Sequence, residues 1–169
     1  QVLMQALHEL RTQIISPMTD ELKTDKEEDA DELFQQHIEA QCKRLRILGF
    51  TGTPIIRGNL NAMDKSLLPS LQTVCTEILN NIAKHGKPGA FAFILSVGPD
   101  AVRIFASNLY NAAINSAPEN HYGTALIQDF AQQHNGTMTI NSENEEWSLS
   151  LTIPLAHQVK LMFSPTEKL

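Results

Sequence analysis

The stretch Thr76–Gly86, TEILNNIAKHG, decides how this chain is read. An α-helix turns once every 3.6 residues, so positions four apart stack along one side. Glu77, Asn81 and His85 therefore share a polar row. Leu71, Val74, Ile78 and Ile82 point the opposite way and predict a core-facing stripe. Such a polar row is either an ordinary solvated face or a working surface, and the residues around it have to decide.

Working outward, the spacing predicts a helix over 67–85, with Pro69 in its first turn, where proline is tolerated. Upstream, FTGTPIIRG (50–58) reads as a short strand weakened by Pro54. Before it, Leu33, Phe34, Ile38, Cys42 and Leu45 predict a helix from Asp29 to Ile47. Acids at its start suit the positive end of the helix dipole, and Gly49 is its expected stop. Residues 2–16 carry Leu3, Leu7, Leu10 and Ile14 at helical spacing, stopped at Ser16-Pro17, and the polar residues 18–30 read as a loop or a frayed helix start.

Downstream, AFAFILSV (90–97) is a near-continuous apolar strand. Gly98-Pro99-Asp100 is turn chemistry, and AVRIFAS (101–107) returns as the hairpin partner. Residues 108–122 lack periodicity and read as a mobile loop. A helix over 124–134 follows Gly123 and ends at Asn135-Gly136, a good left-handed cap. Two strands follow, at 137–142 and 147–155, the second alternating Trp147, Leu149, Leu151 and Ile153. Residues 157–169 read as a tail. This order predicts an α+β fold: a two-layer sandwich whose mixed, mostly antiparallel sheet is covered by helices on one face.

The 169 residues suit one domain with a short extension, and 42% hydrophobic content suffices for a core. The net charge of −6 argues against nucleic acid as a main partner, because phosphate binding needs a basic surface. That charge is local: DELKTDKEEDADE (20–32) holds eight acids and two lysines, and the remainder is near neutral. Cys42 and Cys75 show no metal-ligand spacing and read as buried free thiols, which fits a cytoplasmic compartment. No apolar run reaches the ~18 residues needed to cross a bilayer, and no signal peptide is present. The chain begins with Gln1, which predicts a piece of a longer protein whose parent could carry a membrane anchor.

At this point order and residues converge. Residues 48–155 resemble the ATP-binding domain of sensor histidine kinases, whose fold is shared with DNA gyrase, Hsp90 and MutL. EILNNIAKHG (77–86) resembles that family's first nucleotide motif, Glu-x-x-x-Asn-x-x-Lys-His. VRIFASN (102–108) sits where the family has a strand running into Asp-x-Gly-x-Gly. YGTALIQDFAQQHNGTMTINS (122–142) is similar to the glycine motif, its helix and the next strand, and SLTIPL (150–155) to the last strand. The resemblance implies three segments: 1–47, the end of a dimerisation hairpin and its connector; 48–156, the ATP-binding domain; and 157–169, a tail.

It also implies roles. Asn81 would ligate Mg²⁺, and Glu77 would order a water or polarise the attacking group; Lys84 would place an ammonium near the phosphates. Magnesium takes oxygen ligands, and phosphoryl transfer asks mainly for positioning and charge neutralisation. Gly123, at the start of its helix, would let backbone N–H groups approach phosphate. His85 reads as structural, a cap for the helix end. Asn108 falls on the family's adenine-reading aspartate and could accept a hydrogen bond there without the aspartate's charge. Tyr110 stands on the next glycine, where a side chain could crowd or stack on the base. The loop 109–122 carries no Lys or Arg, so Lys84 and Lys87 are the obvious cations nearby. Two functions follow: the Mg-ATP-binding, catalytic part of a bacterial two-component kinase, or a relative that keeps the fold without the nucleotide and serves as a protein-interaction or phosphotransfer module. The implied partners are a response regulator and the protein's own dimerisation hairpin, in a full-length homodimer.

HELRT (8–12) resembles the phosphoacceptor box of many such kinases, with His8 on the polar side of its helix. ALHELRTQIISPM (6–18) resembles more closely the end of the hairpin's second helix, with the acceptor lost upstream, and this is the favoured reading. His8 lies 73 residues before Asn81, short for a full hairpin plus linker.

Overall fold

The computed structural model describes residues 30–110 and 122–155. The readings of 2–16, of HELRT and of the tail 157–169 lie outside the described residues.

Helix α1 (Ala30–Ile47) forms where it is expected. Asp31 and Glu32 occupy its first turn and Arg44 and Arg46 its last, each complementing the helix dipole. Phe34, Ile38, Cys42 and Leu45 make its buried stripe. Gly49, at φ +94°, closes it in the left-handed conformation that glycine adopts without a Cβ penalty. Phe50 N–H donates to Leu45 O at 3.0 Å and Gly49 N–H to Arg46 O at 3.1 Å, the Schellman pattern that satisfies the terminal carbonyls.

Strand β1 is only Ile55–Arg57. Pro54, without an N–H, stands just before it, and Thr51 forms an isolated parallel bridge to Ala90. After a 3₁₀ turn at Leu60–Ala62, helix α2 runs Leu67–His85, on the expected boundaries. Asp64 Oδ1 accepts the Ser66 N–H at 2.9 Å just before this helix, which holds the Asp64 carboxyl below its usual range. Leu71, Val74, Cys75, Ile78, Leu79 and Ile82 of α2 are buried.

Strands β2 (Gly86–Val97) and β3 (Ala101–Tyr110) form an antiparallel hairpin. Both outrun the sequence expectation of 90–97 and 101–107. Strand β3 continues through Tyr110 because β5 continues beside it: Asn108 opposes Trp147 and Leu109 opposes Glu146. Tyr110 N–H then donates to Glu145 O at 2.9 Å. Asn108, Leu109 and Tyr110 are thus strand residues and not the start of a loop. The rest of that expected loop, 111–121, lies outside the described residues.

Helix α3 (Tyr122–Gln133) places Gly123 inside its first turn, a correction to the expectation that the helix follows Gly123. At its far end Asn135 takes φ +55°, and Gly136 N–H donates to Ala131 O at 2.7 Å, so the expected left-handed cap is present. Strands β4 (Thr137–Glu143) and β5 (Glu146–Pro154) close the chain as a hairpin. Its two turn residues, Asn144 and Glu145, both have positive φ, at 52° and 61°, as a two-residue type I′ turn requires.

The sheet order is β1-β2-β3-β5-β4, parallel between β1 and β2 and antiparallel elsewhere. This is the mixed, mostly antiparallel sheet of the expected α+β sandwich. Helix α2 is central, flanked by α1 and α3. One apolar cluster joins all three helices to the inward faces of β2, β3 and β5, so α1 shares the core of the rest. His37 links α1 to α2: Thr76 Oγ1 donates to Gln72 O at 2.9 Å, so it accepts from His37 Nε2 at 2.8 Å. No helix among the described residues is long and apolar enough to cross a membrane.

Candidate functional site

The apolar stripe of α2 is consumed by the core, which leaves its polar row to the other side. Glu77 and Asn81 on that row are half-buried, and Lys84 at the end of the helix is exposed. An intermediate exposure suits a group that presents an oxygen to a ligand while the helix fixes its direction. His85, beside Gly86, is also half-buried.

The two halves of the site meet at the C-terminal end of α2. Gly86 caps α2 by donating its N–H to Ile82 O, and it is also the first residue of β2, opposite Tyr110; between it and Phe91, which opposes Asn108, the strand bulges, with Gly89 at φ +152°. A Cβ on Gly86 would collide with Ile82 O, stand 2.5 Å from Asn108 Nδ2 and 2.8 Å from Phe50 Cε1. Its φ of −72° is open to any residue, so the glycine is required by space alone. The absent side chain lets the end of β3 approach the last turn of α2, and Asn108 is the residue that arrives there.

Asn108 is 4% exposed, and among the described residues it is the one polar side chain in the core. Its Nδ2 donates to Leu109 O at 2.7 Å. The carboxamide is therefore held by its own backbone in a fixed orientation, which a buried amide needs if it is not to lose a hydrogen bond. Tyr110 is half-buried at the last position of β3.

Helix α3 brings its N-terminus to this same end. Thr137 opposes Thr152, and Thr152 opposes Arg103 near the β2–β3 turn, so α3 must run from the Asn108 end back toward that turn to feed β4. Gly123 lies in its first turn, where N–H groups have no intrahelical acceptor. Asn81, Asn108 and Gly123 thus sit at one end of the sandwich on three different elements. Lys84 and Lys87 are exposed cations on the α2–β2 junction.

Among the described residues no group of three or more His, Cys, Asp or Glu could hold a metal by itself. Magnesium does not need such a cage: it keeps several waters and shares its shell with substrate phosphates. The oxygen donors of Asn81 and Glu77 fit that habit. The two cysteines are free and buried, in α1 and α2. Burial, reinforced by the Glu39 carboxylate against the opposing Arg46 charge, pushes the Cys42 thiol up to about 11, and burial raises Cys75 further. The sequence did not single out Gly86 or Phe50, because a close approach between a helix end and a distant strand leaves no periodic signal.

No protein-family model and no curated protein matches this sequence. Solved structures do match in fold. The histidine kinase AdeS of Acinetobacter baumannii aligns with a TM-score of 0.57 at 12% identity, over 92% of this chain and 85% of that one. The catalytic domain of the histidine kinase ThkA aligns at 0.53 and 14% identity, over 75% of this chain and 92% of that one. The blue-light activated histidine kinase of Erythrobacter litoralis aligns at 0.56 and 12% identity over 74% of this chain, which spans 42% of that kinase. The described residues therefore have the fold of the histidine kinase catalytic domain.

Proposed function

We propose that this chain is the ATP-binding, catalytic portion of a bacterial two-component sensor histidine kinase, acting in the cytoplasm and partnered by a response regulator. The observation that carries the reading is the convergence of Asn81, Asn108 and the first turn of α3 at one end of the sandwich. Bound Mg-ATP would supply the γ-phosphoryl group for transfer to a histidine. Asn81 would hold the metal through its carboxamide oxygen, with Glu77 one turn earlier orienting a water or the attacking group. Lys84 would offset phosphate charge, and the α3 N–H groups beside Gly123 would bind phosphate oxygens. Asn108 and Tyr110 would face the base.

Isothermal titration of the chain with Mg-ATP and Mg-ADP tests this. The expected result is millimolar or tighter affinity, abolished by Asn81→Ala. Absence of heat at high protein concentration refutes it.

A second reading is favoured by Asn108 itself. It can offer adenine only a neutral amide oxygen as acceptor and lacks the negative charge that strengthens such a contact. Together with Tyr110 in place of a glycine, this supports a relative that keeps the scaffold as a protein-interaction or phosphotransfer module. A folded chain that is silent toward nucleotide yet binds a response regulator would establish it.

A further inference from the structure

Among the described residues, the helices cover one face of the sheet and no element covers the other. Strand pairing arranges that open face into rows. At the β2–β3 turn end, Arg57, Ser96 and Arg103 lie side by side. Two residues further along the strands come Ile55, Ile94 and Phe105, with Ile55 40% and Phe105 39% exposed. The next row is small and neutral, Ala92, Ser107, Ser148 and Asn141. At the opposite end Leu109, 42% exposed, opposes Glu146, which opposes Glu143. The face is thus positive at one end, negative at the other, and apolar with small neighbours between. Each end keeps its sign when the nearby Asp100 and Lys87 are included: Arg57 and Arg103 outweigh Asp100, and Glu143, Glu145 and Glu146 outweigh Lys87.

We propose that this face docks a second copy of the chain, sheet against sheet, about a two-fold axis lying across the strands. That axis reverses strand direction and lays each strand over itself, so Arg103 on β3 of each copy meets Leu109 on β3 and the neighbouring Glu146 on β5 of the other, while Arg57, on β1, stays four strands away from Glu143 on β4. An axis along the strands would place arginines on arginines, which like-charge repulsion disfavours. The centre of the four rows falls between Phe105 and Ser107, so Phe105 meets the small row around Ser107 of the other copy, where sheets can close without a clash. Five strands spaced about 4.8 Å apart and about seven residues long present roughly 600 Å² per copy. Two copies would bury about 1,200 Å², the lower end for a specific interface, so the dimer is weak and concentration-dependent.

This interface involves neither the α2 row nor Asn108, so it stands or falls apart from nucleotide binding. The test is sedimentation velocity of the 169-residue chain over a concentration series in low salt. Mass should rise from 18.8 kDa toward twice that value, and Asn81→Ala should leave the rise unchanged. Arg103→Glu and Glu146→Arg should each weaken association about tenfold, and the double variant should restore it. Phe105→Ser should weaken it as well, with circular dichroism confirming that each variant is folded. A chain that stays monomeric throughout overturns the proposal, and so does self-association that ignores all three positions or a double variant without rescue. A monomer whose Arg103 is instead shielded by the acidic residues 20–32 also overturns it, seen as Arg103→Glu changing the hydrodynamic radius without changing the mass.

Discussion

Replacing Gly86 by alanine tests the joint on which the site is built. The backbone there, φ −72° and ψ 153°, suits alanine, so any cost comes from contact alone. The new methyl would have to displace Ile82 O, Asn108 Nδ2 at 2.5 Å or Phe50 Cε1 at 2.8 Å. None is the loose end of a flexible surface chain: one is helix backbone, one is a hydrogen-bonded buried amide, and one belongs to a ring 3% exposed. Overpacking of this kind costs about 1–3 kcal/mol. If the Asn108–Leu109 hydrogen bond is also broken, about 1 kcal/mol more is lost. The expected total of about 2–4 kcal/mol corresponds to a fall in Tm of roughly 4–16 °C for a chain of this size. Gly98→Ala is the control: its Cβ meets nothing closer than Ala101 O at 3.5 Å, so it should be neutral. Thermal and urea unfolding of both variants, together with Asn108→Ala and the Gly86→Ala/Asn108→Ala pair, gives a double-mutant cycle. Contact between the two positions predicts a coupling of at least about 0.5 kcal/mol. A Gly86→Ala protein as stable as wild type, or strict additivity in the cycle, would show that α2 and β3 do not meet as described.

Asn108→Asp should separate stability from ligand recognition. It removes the donor to Leu109 O and buries a carboxylate, so at pH 7 it should destabilise by about 1–3 kcal/mol while tightening any adenine contact, read by unfolding and by Mg-ATP titration. Burial raises that acid's folded pKa above its unfolded value. The penalty should therefore be absent below the unfolded pKa near 4 and appear as pH rises through it. Cys42, pushed up to about 11, and Cys75, raised further, should resist a thiol reagent at pH 8 in the native chain, and both should react in denaturant. Rapid native labelling would contradict their burial. Glu145→Gly should stabilise the β4–β5 hairpin by about 0.5–1 kcal/mol, because Glu145 holds φ +61° at a cost glycine escapes, as urea unfolding would show.

Much of this fold is legible in the sequence because it is written in periodicity. The stripes of α1 and α2, the alternation of β5, and the stops at Gly49 and Asn135-Gly136 are local signals, and the structure keeps them. What was not legible depends on partners far along the chain. Strand β3 runs on through Asn108 and Tyr110 only because β5 lies beside it, and no local pattern marks that. The parallel pairing of Ile55 with Ile94 is likewise a tertiary fact. For the site, the row Glu77–Asn81 could be read from four-residue spacing. The burial of Asn108 could not, since it arises where Gly86 lets two distant segments close on one another.

The close meeting of the α2 end with β3 at Gly86 has a mechanical consequence. A hinge needs residues free to absorb a change of dihedral angles, and here the last helical residue, His85, is followed at once by Gly86, hydrogen-bonded on one side and crowded on the other. The helix that carries Glu77 and Asn81 is splinted to the hairpin that carries Asn108. A displacement of one is passed to the other through the close contact at Gly86, ahead of the bulge that separates it from the regular pairing of β2 at Phe91.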